Sequence, residues 1–483
     1  MEKRHKGLSV LELTMMALGT VIGGSFFLGS SVAIHTLGPF IIISYVLGGI
    51  LVYFILSALS EMTVADPSPG SFFTYARKAF GSGAGFIVGW VYWTGMVLAM
   101  SSEAAAVSIL LRRWFPGISI SFFGSMTILV ITLLNLLGAD KLSKLESGLA
   151  AVKLLAIVSF IIIALLLITG LLGLNPGVAG VKVRGMSFLL PGGIKSIAGS
   201  MLTVMFAYAG FEIIGLAASE TDNPQKMIPK AIKYTVLSLV VLYIASISAV
   251  LLLIPTEALG ENVSPMVAAL NRWGMNWAGN VINIVMVIAI LSTMLAAMFG
   301  IGRMIRSLAD EVYAPGWLKD NTNIPYRGMM FSGAAMFLGL MMGLLFPRVY
   351  LFLVSCGGFS LLFTYIMIVA SQIRLRKKHM YIIEEKQHSY ISWITAISLI
   401  AIILSMPFIP GQASGLIAGI VIIVFYSVVY IGVKYYVRIK KYVRLDSRFD
   451  AKERKANFFM EFSKELVERK KVFPKRKGKK YDK

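Results

Sequence analysis

"ALGTVIGGSFFLGS", Ala17 to Ser30, lies in the first apolar stretch of the chain and carries four glycines. Lipid offers no water to satisfy backbone groups freed by a helix break, so a spanning helix keeps its hydrogen-bond ladder unless the opening has a use. The pair Gly23-Gly24 reads as such an opening, because glycine is the poorest helix former after proline. Composition supplies the setting. The 483 residues are 57% hydrophobic and 14% charged, with a mean hydropathy of +0.77; soluble domains are about 45–50% apolar and about 25% charged. The chain is a polytopic membrane protein.

A span needs about 20 mostly apolar residues. Twelve stretches qualify, in roughly 12–34, 39–62, 84–110, 119–138, 147–173, 198–218, 232–255, 280–302, 331–346, 350–372, 390–408 and 413–437, the ninth being short. An even number leaves both termini on one side. Loops on that side hold 19 Lys and Arg before the tail, and the opposite loops hold seven. The excess of positive charge assigns the termini to the cytoplasm.

Another 19 of the 46 Lys and Arg follow residue 433, so the net charge of +22 is largely a tail. A basic tail beside a membrane reads as a surface for anionic lipid rather than a reader of nucleic acid. Within it, "ANFFMEFSKELVERKK" has the pattern of a short amphipathic helix. One cysteine, Cys356, excludes an intramolecular disulfide, and four scattered histidines form no metal-ligand pattern. "GSGAG" at 81–85 has no strand before it and no Walker motif exists, which argues against ATP-driven transport, and no cofactor is expected.

A second weak point stands in "MLTVMFAYAGFEIIGLAASE", Met201 to Glu220, where Gly210 follows Ala207, Tyr208 and Ala209 and precedes Glu212. This is the sixth span, the first of a second half if spans one to five and six to ten are copies. Five spans per copy invert the second in the membrane. Interrupted helices at corresponding positions of inverted repeats point to a transport site. The amino end of a half-helix suits a carboxylate, and freed carbonyls suit an ammonium group. Two facing breaks therefore complement a zwitterion such as an α-amino acid. The implied organisation is a cytoplasmic stretch 1–11, repeats 12–173 and 198–372, two further spans in 390–437 and a tail 438–483.

With these residues in view, the chain resembles the amino acid permeases of the APC (amino acid–polyamine–organocation) superfamily, in particular its bacterial amino acid transporter branch. The resemblance covers about residues 7 to 438. It rests on the first break, on "GSFFTYARKAFGSGAGFIVGWVYW" into span three, on "FAYAGFEIIGLAASETDNPQKMIPKAI" through span six, and on "GRMIRSLADEVYAPGWLKDNTNIPYRG" after span eight. It implies an all-α fold of five plus five inverted spans (leucine-transporter-like) with helices one and six broken and two helices added, working by alternating access. Carried over, backbone amides at Ile22, Gly23, Gly24 and Ser25 would hold the substrate carboxylate. Carbonyls near Phe206, Ala207, Ala209 and Gly210 would hold its amino group, with Phe206 closing over it. The chain departs from the family in reading Gly-Gly-Ser rather than Gly-Thr-Gly or Gly-Ser-Gly at the first break. Leu295 in span eight stands where asparagine is common.

Charges inside spans are costly and mark function. Lys153, in "LAAVKLLAIVSF" of span five, reads as a proton site; in proton-coupled relatives a lysine here takes the place of a sodium ion. Glu103 in span three either adds negative charge to the substrate cavity or hydrogen-bonds a neighbouring helix. Glu212 is a further member of the coupling network, Glu220 a cap at the inner end, and Glu61 a structural acid. The expectation is a proton-coupled amino acid symporter of a bacterial plasma membrane, with an exchanger of the same fold as the alternative. A membrane enzyme or a nutrient sensor fits less well, because no catalytic constellation or output domain is visible. Substrate identity and oligomeric state do not follow from the sequence.

Overall fold

The computed structural model describes residues 9–68, 70–173, 193–217, 221, 223–259, 263–320, 322, 324–378, 389–409 and 411–435, without the side chains of 139–147, 194–195 and 389. Glu220 and the tail 438–483 lie outside them. The chain forms two units, 1–426 and 427–483; of the second, residues 427–435 are described, and they are helical.

The described residues fold entirely into helices and turns. The first expected span is three pieces: α1 (Val10–Val21), α2 (Gly24–Phe27) and α3 (Gly29–Leu37). Next come α4 (Ile41–Ala65), α5 (Ser71–Phe80), α6 (Ser82–Leu111), α7 (Ile120–Asn135) and α8 (Ala139–Ile168). The sixth span is α9 (Gly193–Ala207) and α10 (Ile213–Ala217), followed by α11 (Pro224–Leu253), α12 (Pro265–Arg272), α13 (Asn276–Asp310), α14 (Tyr326–Gly343) and α15 (Val349–Lys377). The last two spans are α16 (Ser389–Ser405) and α17 (Ala413–Tyr435). The second half repeats the order of the first: a broken span, a long one, a short helix, then three more spans.

Among the described residues, eight helical stretches are long and apolar enough to cross a bilayer, one of them running from Gly24 to Ala65. This falls below twelve for physical reasons. Breaks cut the first and sixth spans, α7 is only 16 residues long, and α14 is diluted by Arg327 and its glycines.

Local chemistry sets the helix starts. Ser9 accepts from the Glu12 amide (3.3 Å) while the Glu12 carboxylate accepts from the Ser9 amide (2.7 Å), a reciprocal cap on α1. Asn223 accepts from the Lys226 amide ahead of α11, with Pro224 in the first turn where its missing N–H costs nothing.

Helix α6 is the axis of the bundle, packed against α5, α7, α13, α14 and α15. Small residues on α6 let its neighbours close in. A Cβ on Gly89 would stand 2.6 Å from Leu308, and one on Gly95 would stand 2.7 Å from Ser360. The same helix carries Glu103, which is only 6% exposed, to the middle of the bundle.

Candidate functional site

Helix α1 stops at Val21, and the chain runs extended through Ile22 (φ −77°, ψ 98°) and Gly23 (φ −140°, ψ −161°) before α2 restarts at Gly24. The opening is therefore 22–23, and Gly24 and Ser25 are already helical. Their amides point at a carboxylate from the chain itself. Gly24 N donates to Glu103 Oε2 (2.7 Å) and Ser25 N to Glu103 Oε1 (3.2 Å). The glycines are needed for this approach rather than for an unusual backbone angle. A Cβ on Gly23 would lie 3.2 Å from Glu103 Oε1 and from Thr293, and one on Gly24 would collide with Glu103 Oε2.

Lys153, fully buried, faces the other side of the same break. Its Nζ donates to the carbonyls of Gly19 (2.5 Å) and Ile22 (3.3 Å) and to Thr293 Oγ1 (3.1 Å). Thr293 in turn donates to the Ile22 carbonyl at 3.0 Å. The ammonium group thus sits among oxygens released by the end of α1.

In span six, α9 ends at Ala207, and residues 208–212 form turns before α10. Here glycine is needed for its backbone. Gly210 has φ +105°, and a Cβ would stand 2.9 Å from the Thr20 carbonyl oxygen. The two breaks touch, because Thr20 Oγ1 donates to the Gly210 carbonyl (3.2 Å). The Ala207 carbonyl, expected to face an ammonium group, accepts from Tyr243 OH (2.9 Å), and the Phe206 carbonyl accepts from Ala209 N (3.1 Å). Glu212 is buried. It accepts from Tyr92 OH (3.1 Å), Tyr365 OH (3.3 Å) and Gly210 N (3.1 Å), which joins the second break to α6 and α15.

A cavity of about 60 Å³ lies between the breaks. Ser25, Glu103, Phe206, Ala209 and Gly210 line it, and Met96, Ala297 and Gly300 are among its apolar wall. Ile22, Gly23, Gly24, Ala207, Lys153 and Glu212 stand behind that lining. Leu295 does not line it; Thr293 and Met294 face the cavity from span eight. Glu61 hydrogen-bonds Gln372 (2.6 Å) and pairs with Arg376, tying α4 to α15 away from the cavity.

Sequence reasoning missed Thr20, Thr293, Tyr92, Tyr243 and Tyr365. A buried tyrosine hydroxyl needs a partner, which was a usable signal for their importance, but the partner's identity is a matter of folding.

The sequence matches the family model described as amino acid permease over residues 12–445. The chain belongs to the amino acid permease family. It is a multi-pass membrane transport protein, not an enzyme. Among relatives, it is 32% identical to an uncharacterized amino acid permease of Bacillus subtilis, YtnA, over 89% of this chain and 95% of that one. It is 31% identical to a gamma-aminobutyric acid permease of Bacillus subtilis, with 86% and 92% covered. It is 34% identical to the gamma-aminobutyric acid permease of Escherichia coli, with 77% and 80% covered. In fold it is similar to the manganese transporter of Eremococcus coleocola, at a TM-score of 0.54 and 12% identity over 89% of this chain and 94% of that chain.

Proposed function

We propose that this permease imports an amino acid across the bacterial plasma membrane by proton symport, with both termini cytoplasmic. One observation carries the reading: the amides at the start of α2 hold a carboxylate, that of Glu103, inside a cavity bounded by a second broken helix. A substrate carboxylate arriving at Gly24 and Ser25 exchanges with Glu103, which swings aside. Ala209 lines the cavity beside the second break and offers a carbonyl for the substrate's ammonium group.

The coupling proton resides on Lys153. Charged, it ties the Gly19 and Ile22 carbonyls to α8, as a bound cation would. Once the proton leaves, the neutral amine holds those carbonyls less strongly and α1 is released from α8. Proton loss to the cytoplasm and opening of the inner half of span one are thereby linked.

The test is uptake of labelled amino acid into proteoliposomes with an imposed pH gradient, after a thermal-shift screen of the twenty amino acids and γ-aminobutyrate. The last is included because two relatives bear it in their names. Lys153→Ala should abolish gradient-driven accumulation while substrate still shifts the melting temperature. Undiminished accumulation in that variant would remove the proton role. Counterflow without pH dependence in the unaltered protein would identify an exchanger.

A further inference from the structure

A second cleft, of about 380 Å³, opens where α6 ends and α7 begins, on the side opposite the start of α1, and shares no lining residue with the central cavity. Arg112 and Arg113 line it, with Ser264, Asn283 and an apolar wall that includes Ile109 and Val267. Three observations make it more than a surface groove.

Among the described residues the charge has no acidic partner. Neither arginine has an ion-pair partner among the described residues, and Arg113 is steered by neutral acceptors, Asn280 Oδ1 (3.1 Å) and Asn271 Oδ1 (3.4 Å). The cleft is also rigidly framed, because Asn283 Nδ2 donates to the Leu110 carbonyl (3.1 Å) and locks α13 to the last turn of α6. Finally, Ser264 Oγ is fully buried with no hydrogen-bond partner among the described residues. Such an orphan hydroxyl costs free energy unless a group outside the protein completes it. Ser264 is the residue before α12, whose side chain makes no cap bond, so the amino end of α12 adds a positive dipole to the same cleft.

We propose that this cleft binds a phosphate group, supplied by the headgroup of an anionic phospholipid. Two guanidinium groups, a hydroxyl and a helix start match a phosphate's oxygens. The apolar wall, with Ile109 and Val267, continues that match into acyl chain, and the cleft lies where α6 ends and α7 begins. Phe115 and Phe122, 52% and 59% exposed, flank the same α6–α7 corner and suit that interface.

Native mass spectrometry of the full chain in detergent tests the assignment, with phosphatidylglycerol, phosphatidylcholine and inorganic phosphate as probes. The unaltered protein should retain phosphatidylglycerol at least tenfold more tightly than the Arg112→Ala/Arg113→Ala variant and show no such preference for phosphatidylcholine. Ser264→Ala should weaken retention two- to threefold. A size-exclusion profile and melting temperature establish that each variant is folded, and Arg112→Gln/Arg113→Gln replaces the alanine pair if it is not. Displacement of phosphatidylglycerol by inorganic phosphate supports the phosphate site; stabilisation by phosphate with no lipid retention assigns it to the free anion. Equal retention by the variants and the unaltered protein, or equal retention of both lipids, overturns the proposal.

Discussion

Glu103 is where one side chain decides most. Its carboxylate satisfies two buried amides that no helical carbonyl can reach, and hydrogen bonds to a charged acceptor are worth about 1.5–3 kcal/mol each, against about 1 for neutral pairs. Glu103→Ala leaves both donors orphaned at a penalty of about 1–3 kcal/mol each, so the melting temperature without substrate should fall. The same variant separates two roles for the acid. If a substrate carboxylate exchanges with Glu103 on Gly24 and Ser25, the substrate fills the vacated site and its thermal shift should be larger in Glu103→Ala than in the unaltered protein. A smaller shift, read in the same melting experiment, would make Glu103 a direct ligand of the substrate instead.

At the scale of elements, the two breaks are built differently although both carry glycine. In span one the dihedral angles are open to any residue, and the glycines make room for Glu103. In span six Gly210 holds a left-handed conformation against the Thr20 carbonyl. A side chain there pays twice, once for the backbone and once for the clash. Left-handed backbone costs a non-glycine residue about 1–2 kcal/mol, and the backbone oxygen in the way cannot rotate aside. Gly210→Ala should therefore lower thermal stability by more than that amount and misalign the breaks, as measured by unfolding and by loss of uptake. Gly117→Ala, at a position outside the cavity where a Cβ would meet nothing within 4 Å, should leave stability nearly unchanged and serves as the control.

Across the whole molecule, ion pairs join elements distant in sequence at the end where α4 finishes and α5 starts. Arg77 pairs with Glu311 at 2.7 Å, with side chains 37% and 21% exposed. The Glu61–Arg376 pair is more buried, at 11% and 22%, and belongs to a chain in which Gln372 bonds Glu61 and accepts from Ser392 (2.8 Å), linking α4, α15 and α16. Exposed pairs contribute about 0–1 kcal/mol, whereas breaking a buried pair strands a charge. Arg376→Ala should thus depress the melting temperature clearly more than Arg77→Ala, by differential scanning of the two purified variants. Equal shifts would mean that water reaches Glu61 freely.

How much of this was legible in sequence depends on whether a property is local. Span positions follow from runs of apolar residues, since the bilayer asks only for length and hydropathy. Both weak points could be read from Gly23-Gly24 and Gly210, because glycine's poor helix propensity belongs to the residue. Lys153 and Glu212 stood out because buried charge is rare within lipid. Local composition thus specifies a broken-helix membrane protein and the polar residues it must accommodate. What those residues meet depends on how the helices pack. That the Gly24 and Ser25 amides face Glu103, 78 or more positions away, that Tyr243 rather than an open space takes the Ala207 carbonyl, and that Thr293 rather than position 295 faces the cavity are facts of packing. Hydrogen-bond partners across a bundle depend on helix rotation and depth, and no periodicity along one chain segment records them.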